Sequence, residues 1–307
     1  MCSRSFSKNQ ELCSRLYDIS NDVKLNQDGL VLEGDLLVDF LRDRTHAIVG
    51  LETINESILD KLPGLEVVSK YGVGLDSIDL SALKKFDVRL GWTPGVNSLS
   101  VAELALGLTL SSLRRICEAN SATRNGQWGQ LQGELLSGKA VGIVGFGHVG
   151  QDFARLLGPF KCQIYVNDIR PINSKNWPQV IQTSLDDLLR DSSIVSLHVP
   201  LTTETFHLID KRRLDSMKPT ALIVNTSRGG VIDEQALLAA MSRGRINSAA
   251  LDVLEMEPPS VDDQLITRES VLITPHIGGS TREAIIAMGE AAIRGLIENK
   301  LPDADRF

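Results

Sequence analysis

Ala140-Val141-Gly142-Ile143-Val144-Gly145-Phe146-Gly147-His148-Val149-Gly150 reads as an apolar, β-branched strand running into a glycine-rich turn, and Gln151-Asp152-Phe153-Ala154-Arg155-Leu156-Leu157 continues it as a helix. Gly145, Gly147 and Gly150 fit G-x-G-x-x-G. The three glycines supply, in turn, a bend without a Cβ clash, a backbone open to a pyrophosphate, and close helix–strand packing. The helix that follows begins with free N–H groups and a positive dipole end, which favour an anion. Gly158-Pro159 stops it, and a second strand, Cys162–Asn167, ends at Asp168. That acid lies 23 residues past Gly145 (168 − 145), the spacing of a carboxylate that takes the ribose hydroxyls of NAD. Strand, turn, helix, strand and acid together predict dinucleotide binding.

Working outward, the 307 residues suffice for two cores. The net charge of −7 comes from mixed rather than blocked charges, which argues against nucleic acid and against a polybasic membrane surface and for a small partner. Cys2, Cys13, Cys117 and Cys162 form no C-x-x-C pair and no metal spacing, so no metal is expected and reduced thiols of a cytoplasmic protein are. No basic-then-apolar leader pattern and no apolar run of membrane-spanning length is seen; the most hydrophobic helix, near Val101 to Leu113, carries Glu103 and reads as a core helix.

The first 95 or so residues alternate strand-like and helical pieces: Met1–Phe6, a helix from Gln10, Val23–Leu25, a helix from Asp35, His46–Val49, a helix from Asn55, and Glu66–Ser69. This is a smaller α/β unit with a parallel sheet. It leads into Lys70-Tyr71-Gly72-Val73-Gly74, whose accessible N–H groups suit either a carboxylate or an ordinary turn. Gly91–Asn97 reads as a hinge before a long buried helix over about 99–120. An arm containing Trp128 follows, free to pack on its own domain or on a second subunit. Beyond Val141 the strands near Ser193–Val199, Ala221–Asn225, Ser248–Val253 and Val271–Thr274 bring the doubly wound sheet to six, and an amphipathic helix over about 282–299 closes the chain.

Three stretches fall at strand ends, the edge where such sheets bind ligands. Arg228, in Asn225-Thr226-Ser227-Arg228-Gly229-Gly230, offers a fork for a carboxylate, or is a surface arginine. Asp252, Glu255 and Glu257 crowd one loop before Pro258. His276, between Pro275 and Gly278-Gly279, is the histidine best placed for acid–base work, whereas His46, His198 and His207 have packing or hydrogen-bonding explanations and His148 lies in the glycine turn.

In their order, the glycine loop, Asn225–Gly229, Asp252-Val253 with Glu257-Pro258, Pro275–Gly279, Tyr71–Asp76 and Val101-Ala102-Glu103 resemble the NAD-dependent D-2-hydroxyacid dehydrogenases, most of all short phosphoglycerate-dehydrogenase-like members. The resemblance covers nearly the whole chain. It implies two doubly wound parallel-sheet domains: a Rossmann domain over 98–282, and a smaller flavodoxin-like substrate domain over 1–97 completed by 283–307, with the cleft between. It implies a homodimer built through the Trp128 arm. It also implies cofactor contacts at Gly145, Gly147, His148, Val149, Gly150, Asp168, Val199, Pro200, Thr226, Ser227, Arg228, Asp252, His276 and Gly278, and substrate contacts at Lys70, Gly72, Val73, Gly74, Arg228 and His276.

The implied reaction is hydride exchange between NAD(H) and a small D-2-hydroxy or 2-oxo acid. His276 moves the proton, Glu257 orients its ring and favours the charged form, and Arg228 holds the carboxylate. Asp252 receives the nicotinamide carboxamide, and Asp168 disfavours NADP by repelling its 2′-phosphate, with Arg170 as a competing influence. Lys70 either projects towards a second anionic group, 3-phosphoglycerate being the first candidate, or is a solvated lysine at a strand end. Tyr71 and Leu254 depart from the family pattern and are expected to border the substrate. A co-repressor-type NAD(H)-sensing protein and a dehydrogenase of another small anion such as formate are the rival readings.

Overall fold

The computed structural model describes residues 1–303. Two compact units make up the chain: Met1–Asn97 with the residues from Gly279 onward, and Ser98–Gly278.

The smaller unit holds three parallel strands, β1 (His46–Val49), β2 (Val67–Lys70) and β3 (Arg89–Gly91), in that order. Every residue of the central β2 is buried, as a parallel strand covered on both faces requires. The crossover helices Glu56–Leu59 and Leu80–Lys85 start at Asn55 and Asp79, whose side chains accept the N–H groups of Ile58 and Ala82. Leu37, Leu41, Ile54, Val68 and Leu83 fill one side of this core. The helix Arg282–Gly295 packs within the same unit, where Ser69 donates to the Ala292 carbonyl at 2.6 Å and Gly91 lies so close to Gly295 that a Cβ would overlap it. Past the helix, Leu90 and Lys300 exchange antiparallel bonds at 2.8 and 3.2 Å.

Two expected strands are absent here. Met1–Ser3 is extended, with Cys2 donating to Ile48 at 2.9 Å, but Arg4–Ser7 turns into a helix, and Val23–Leu25 has no ladder partner. The last helix ends at Gly295, short of the expected Asn299, whose side chain donates back to the carbonyls of Gly295 and Leu296.

The larger unit carries seven parallel strands rather than six: β4 (Ala140–Val144), β5 (Gln163–Asn167), β6 (Val180–Gln182), β7 (Ile194–Leu197), β8 (Leu222–Asn225), β9 (Ser248–Leu251) and β10 (Val271–Ile273), in the order β10-β9-β8-β7-β4-β5-β6. The unforeseen β6 is a three-residue edge strand with Ile181 and Gln182 exposed, too short to give a pattern. The expected long helix is two, Ser98–Leu113 and Ile116–Arg124, broken where Arg115 turns left-handed (φ 52°) and reaches forward to Glu118. The first buries Val101, Ala102, Ala105 and Leu108; the second buries nothing.

Register positions the functional edge. Val144 lies opposite Leu197, Leu197 opposite Asn225, Asn225 opposite Leu251, and Leu251 opposite Ile273. Five strands therefore finish level, and the loops after them emerge side by side. The chain leaves β4 for β5 and β6 on one flank and resumes with β7 on the other, so the order reverses beside the end of β4. Among the described residues no helix is long and apolar enough to cross a membrane.

Candidate active site

The turn after β4 sits at that reversal. Gly145 has φ +90°, and a Cβ there would lie 2.5 Å from the His198 carbonyl oxygen and 2.8 Å from the Val199 side chain. Gly150, in the helix His148–Leu157, is pressed so closely on the Gly145 carbonyl that a Cβ would overlap it. At Gly147, the helix N-cap, a Cβ would meet nothing within 4 Å. Two glycines thus serve packing, and the third leaves open space above the first N–H groups of a ten-residue helix. Asp168 follows β5 directly; its Oδ2 accepts Phe146 N–H at 2.7 Å and its Oδ1 accepts Arg170 N–H at 2.9 Å, so the acid is fixed at the mouth of the turn. His148 is exposed and Val149 half-buried. Farther along the edge, the buried Thr226 hydroxyl has no partner among the described residues, a donor left for a bound group to satisfy. The residues present fit a dinucleotide.

The loop after β8 is locked by Asn225. Its Oδ1 accepts Ser227 N–H at 3.0 Å and Ser227 Oγ–H at 2.8 Å, and its Nδ2 donates to the Arg228 carbonyl at 2.9 Å. Arg228, half-buried, is thereby set at the strand end, one guanidinium N–H on the Ser227 carbonyl at 2.7 Å.

After β9 comes Asp252, 1% exposed. Its Oδ1 accepts Thr274 Oγ–H at 2.6 Å and Ile277 N–H at 2.8 Å, and its Oδ2 accepts Gly278 N–H at 2.8 Å. A single buried carboxylate thus clamps the whole segment after β10. That segment holds His276 in the left-handed region (φ 52°), where a non-glycine residue costs about 1–3 kcal/mol and needs such support.

His276 Nδ1 and Glu257 Oε2 are 2.7 Å apart, while Glu257 Oε1 accepts Leu254 N–H at 3.0 Å. With Nδ1–H shared with the carboxylate, the ring's Nε2 is the nitrogen left for proton exchange. The imidazole is 48% exposed, so a small molecule can reach it.

His198 shows the contrast. Half-buried and packed against Phe153, with Nε2 on Ser196 Oγ at 2.9 Å, its imidazole is pushed down to about 3 by burial of the ring.

Two expectations about substrate contacts change. The Lys70 side chain is only 6% exposed, and its ammonium donates to the Gly50 carbonyl and to Ser77 Oγ within the smaller unit. Leu254 is 7% exposed and belongs to the core around Val231 and Leu237 rather than to an open face. Tyr71 is half-buried, edge-on to Phe6 at 5.4 Å, and lines a cavity of about 380 Å³ with Ser5, Lys8, Ser280, Ile285 and Met288. Burial pushes its phenol up, against the bond to Ser5. The Gly72–Gly74 turn has Gly72 at φ 120° and is braced by Trp92, which donates to the Val73 carbonyl at 2.9 Å.

Residues 106–278 match the family described as D-isomer specific 2-hydroxyacid dehydrogenase, NAD binding domain. The chain belongs to the D-2-hydroxyacid dehydrogenases. Similar members include the glyoxylate reductase of Thermofilum pendens, 41% identical over 84% of this chain and 78% of the relative. Glyoxylate/hydroxypyruvate reductase A HPR2 of Arabidopsis thaliana is 37% identical over 86% of this chain and 85% of its own. Among solved structures, D-lactate dehydrogenase from Aquifex aeolicus, complexed with NAD and lactic acid, superposes with a TM-score of 0.81 at 26% identity, covering 94% of this chain and 92% of that one. The protein is accordingly an NAD-dependent D-2-hydroxyacid dehydrogenase.

The bracing roles of Asn225 and Thr274 escape a reading of the sequence. An Asn or Thr at a strand end carries no signal until the register shows which loop it braces. Among the described residues no three His, Cys, Asp or Glu side chains are grouped to hold a metal ion.

Proposed function

We propose that this dehydrogenase acts on short, unphosphorylated 2-oxo acids, glyoxylate and hydroxypyruvate first, reducing them to their 2-hydroxy acids. The observation that carries the reading is the 2.7 Å His276–Glu257 pair beside Arg228 on one level sheet edge. NADH, when bound, supplies the hydride. Phe146-Gly147-His148-Val149 and the helix N-terminus hold the pyrophosphate, Asp168 the adenosine ribose, Val199 and Pro200 the adenosine side, and Thr226, Ser227, Asp252 and Gly278 the nicotinamide end. Arg228 takes the substrate carboxylate through its guanidinium and polarises the neighbouring carbonyl. His276 as imidazolium gives its Nε2 proton to the carbonyl oxygen, Glu257 balancing the charge and fixing the tautomer; in oxidation the same nitrogen takes the hydroxyl proton.

The names of the similar reductases support glyoxylate and hydroxypyruvate. A phosphorylated hydroxy acid had Lys70 as its support, and that ammonium is already held by Gly50 and Ser77. Steady-state kinetics with NADH on glyoxylate and hydroxypyruvate, and with NAD on 3-phosphoglycerate, decide it. Faster turnover of the phosphorylated acid overturns the assignment. We also infer a homodimer: Trp128 is 91% exposed and Leu135 70% in one arm, an apolar surface a second copy would cover. Sedimentation showing a concentration-independent monomer would refute it. The four free cysteines suit a reducing cytoplasm.

A further inference from the structure

The turn that carries Glu257 also carries a second glutamate with its own histidine. Glu255 Oε1 lies 3.0 Å from His207 Nε2, and His207, like His276, is a non-glycine residue in the left-handed region (φ 50°). Glu255 is engaged a second time: its N–H donates to Glu234 Oε1 at 2.7 Å, and its Oε1 accepts Glu234 N–H at 3.2 Å. Glu234 opens the helix Glu234–Ser242, and burial, ahead of its carboxylate neighbours, pushes its acid up. The backbone of His207 donates to the Gly230 carbonyl at 2.8 Å, two residues past Arg228, and its ring stacks on Phe206 at 3.9 Å. Gly229 is so close to Leu254 and Glu255 that a Cβ would overlap their backbone.

Three loops are therefore stitched at one point: the one after β7 that holds Val199 and Pro200, the one after β8 that holds Arg228, and the one after β9 that holds Glu257. None of these bonds reaches the His276 ring, and the three made by Glu255 fix the turn from which Glu257 does. We propose that Glu255 is a positioning residue, which with His207 and Glu234 sets Glu257 against His276 Nδ1 and holds Arg228 in register with them. The inference rests on the reading of His276 as the proton carrier.

The direct test is proton NMR of the imidazole Nδ1–H shared with Glu257, a downfield resonance assigned by its loss in His276→Gln. Glu255→Ala should remove or broaden it, and Glu255→Gln, which keeps an Oε1 acceptor for Glu234 and His207, should restore it. In turnover, Glu255→Ala should lower kcat by roughly 10- to 100-fold, the scale of about 1 Å of misplacement, with KM for NADH unchanged. A wild-type resonance in Glu255→Ala overturns the proposal, as do equal losses in the Ala and Gln variants that track melting temperature. Should Glu255→Ala not fold, His207→Ala with His207→Gln as its rescue makes the same comparison. The resonance needs no turnover: its loss in Glu255→Ala upholds the stitch even if the wild type reduces no 2-oxo acid, an outcome that sinks only the proposed function.

Discussion

Both sheets are parallel and both run into glycine turns, yet they treat the polar residue at the strand end in opposite ways. In the three-stranded sheet the ammonium of Lys70 is absorbed by the Gly50 carbonyl and Ser77, and the lysine becomes part of the frame. In the seven-stranded sheet Asn225 and Asp252 are the absorbed ones, and their bonds go into the loops that present Arg228 and His276. A charged residue at a strand end is thus a candidate in both sheets. It becomes a site where a buried neighbour does the structural bonding for it.

Two histidines of the larger unit, His276 and His198, break that comparison most sharply. His276→Ala should lower kcat by ~10²–10⁴ with NADH binding nearly intact, the worth of a positioned general acid. An unchanged kcat on a good substrate would remove His276 from the mechanism. His198, half-buried and pushed down to about 3, acts on stability instead. Its folded value lies below the roughly 6.5 of an unfolded histidine, so its neutral burial contributes fully above that pH and is lost as pH falls from there towards about 3. Stability should drop by up to about 1.4 kcal/mol per pH unit across that window from this group alone. Denaturant melts of His198→Gln should show a shallower acid slope; an identical slope would mean the ring is hydrated and titrates normally.

How much of this is readable in the sequence differs by residue. The glycine spacing, Asp168, Arg228, Glu257 and His276 are legible because each combines a chemical type with a place at the end of an apolar strand. The seven-strand count is not, since Val180–Gln182 is three residues long at an edge. Met1–Phe6 misleads because its extended start looks like a strand, although it makes one bond to β1 and turns helical from Arg4. Lys70 misleads for a subtler reason. Whether a strand-end lysine faces out or folds back depends on Gly50, twenty residues earlier, and on Ser77 across the glycine turn, which no strand or turn pattern reveals.

Lys70→Met sharpens the contrast between the sheets. Bonds involving a charged group are worth about 1.5–3 kcal/mol, and removing the ammonium leaves the Gly50 carbonyl without that donor. The variant should lose stability on that scale, and whatever activity it loses should be equal for glyoxylate and 3-phosphoglycerate. A selective loss on the phosphorylated acid would return Lys70 to the substrate.

The glycines of the turn divide in the same manner. Gly150→Ala forces a Cβ into the Gly145 carbonyl, and overpacking of this kind costs typically about 1–3 kcal/mol. Gly147→Ala meets open space, so its melting temperature should stay near wild type while its NADH affinity falls. Calorimetry paired with cofactor titration separates the two. A Gly147→Ala variant that binds NADH normally would show that the pyrophosphate does not approach there.

The smallest expected effect belongs to Arg170, and it bears on cofactor choice. Its guanidinium is 76% exposed and 3.6 Å from Asp168 Oδ1, whereas the carboxylate itself is 9% exposed and bonded to Phe146 N–H and Arg170 N–H. An exposed ion pair of this kind contributes about 0–1 kcal/mol, so Arg170→Ala should alter NADH affinity by less than about fivefold. The backbone bond from residue 170 to Asp168 survives that substitution, so the acid should keep its place and continue to repel a 2′-phosphate. NADPH should remain the poor cofactor in the variant as in the wild type. The alternative is that Arg170 swings away from Asp168 to grip the phosphate, in which case wild type would use NADPH well and Arg170→Ala would lose NADPH activity alone. Measuring kcat/KM for both cofactors in both proteins distinguishes these outcomes. A selective NADPH loss would assign the cofactor preference to the mobile cation rather than to the fixed acid.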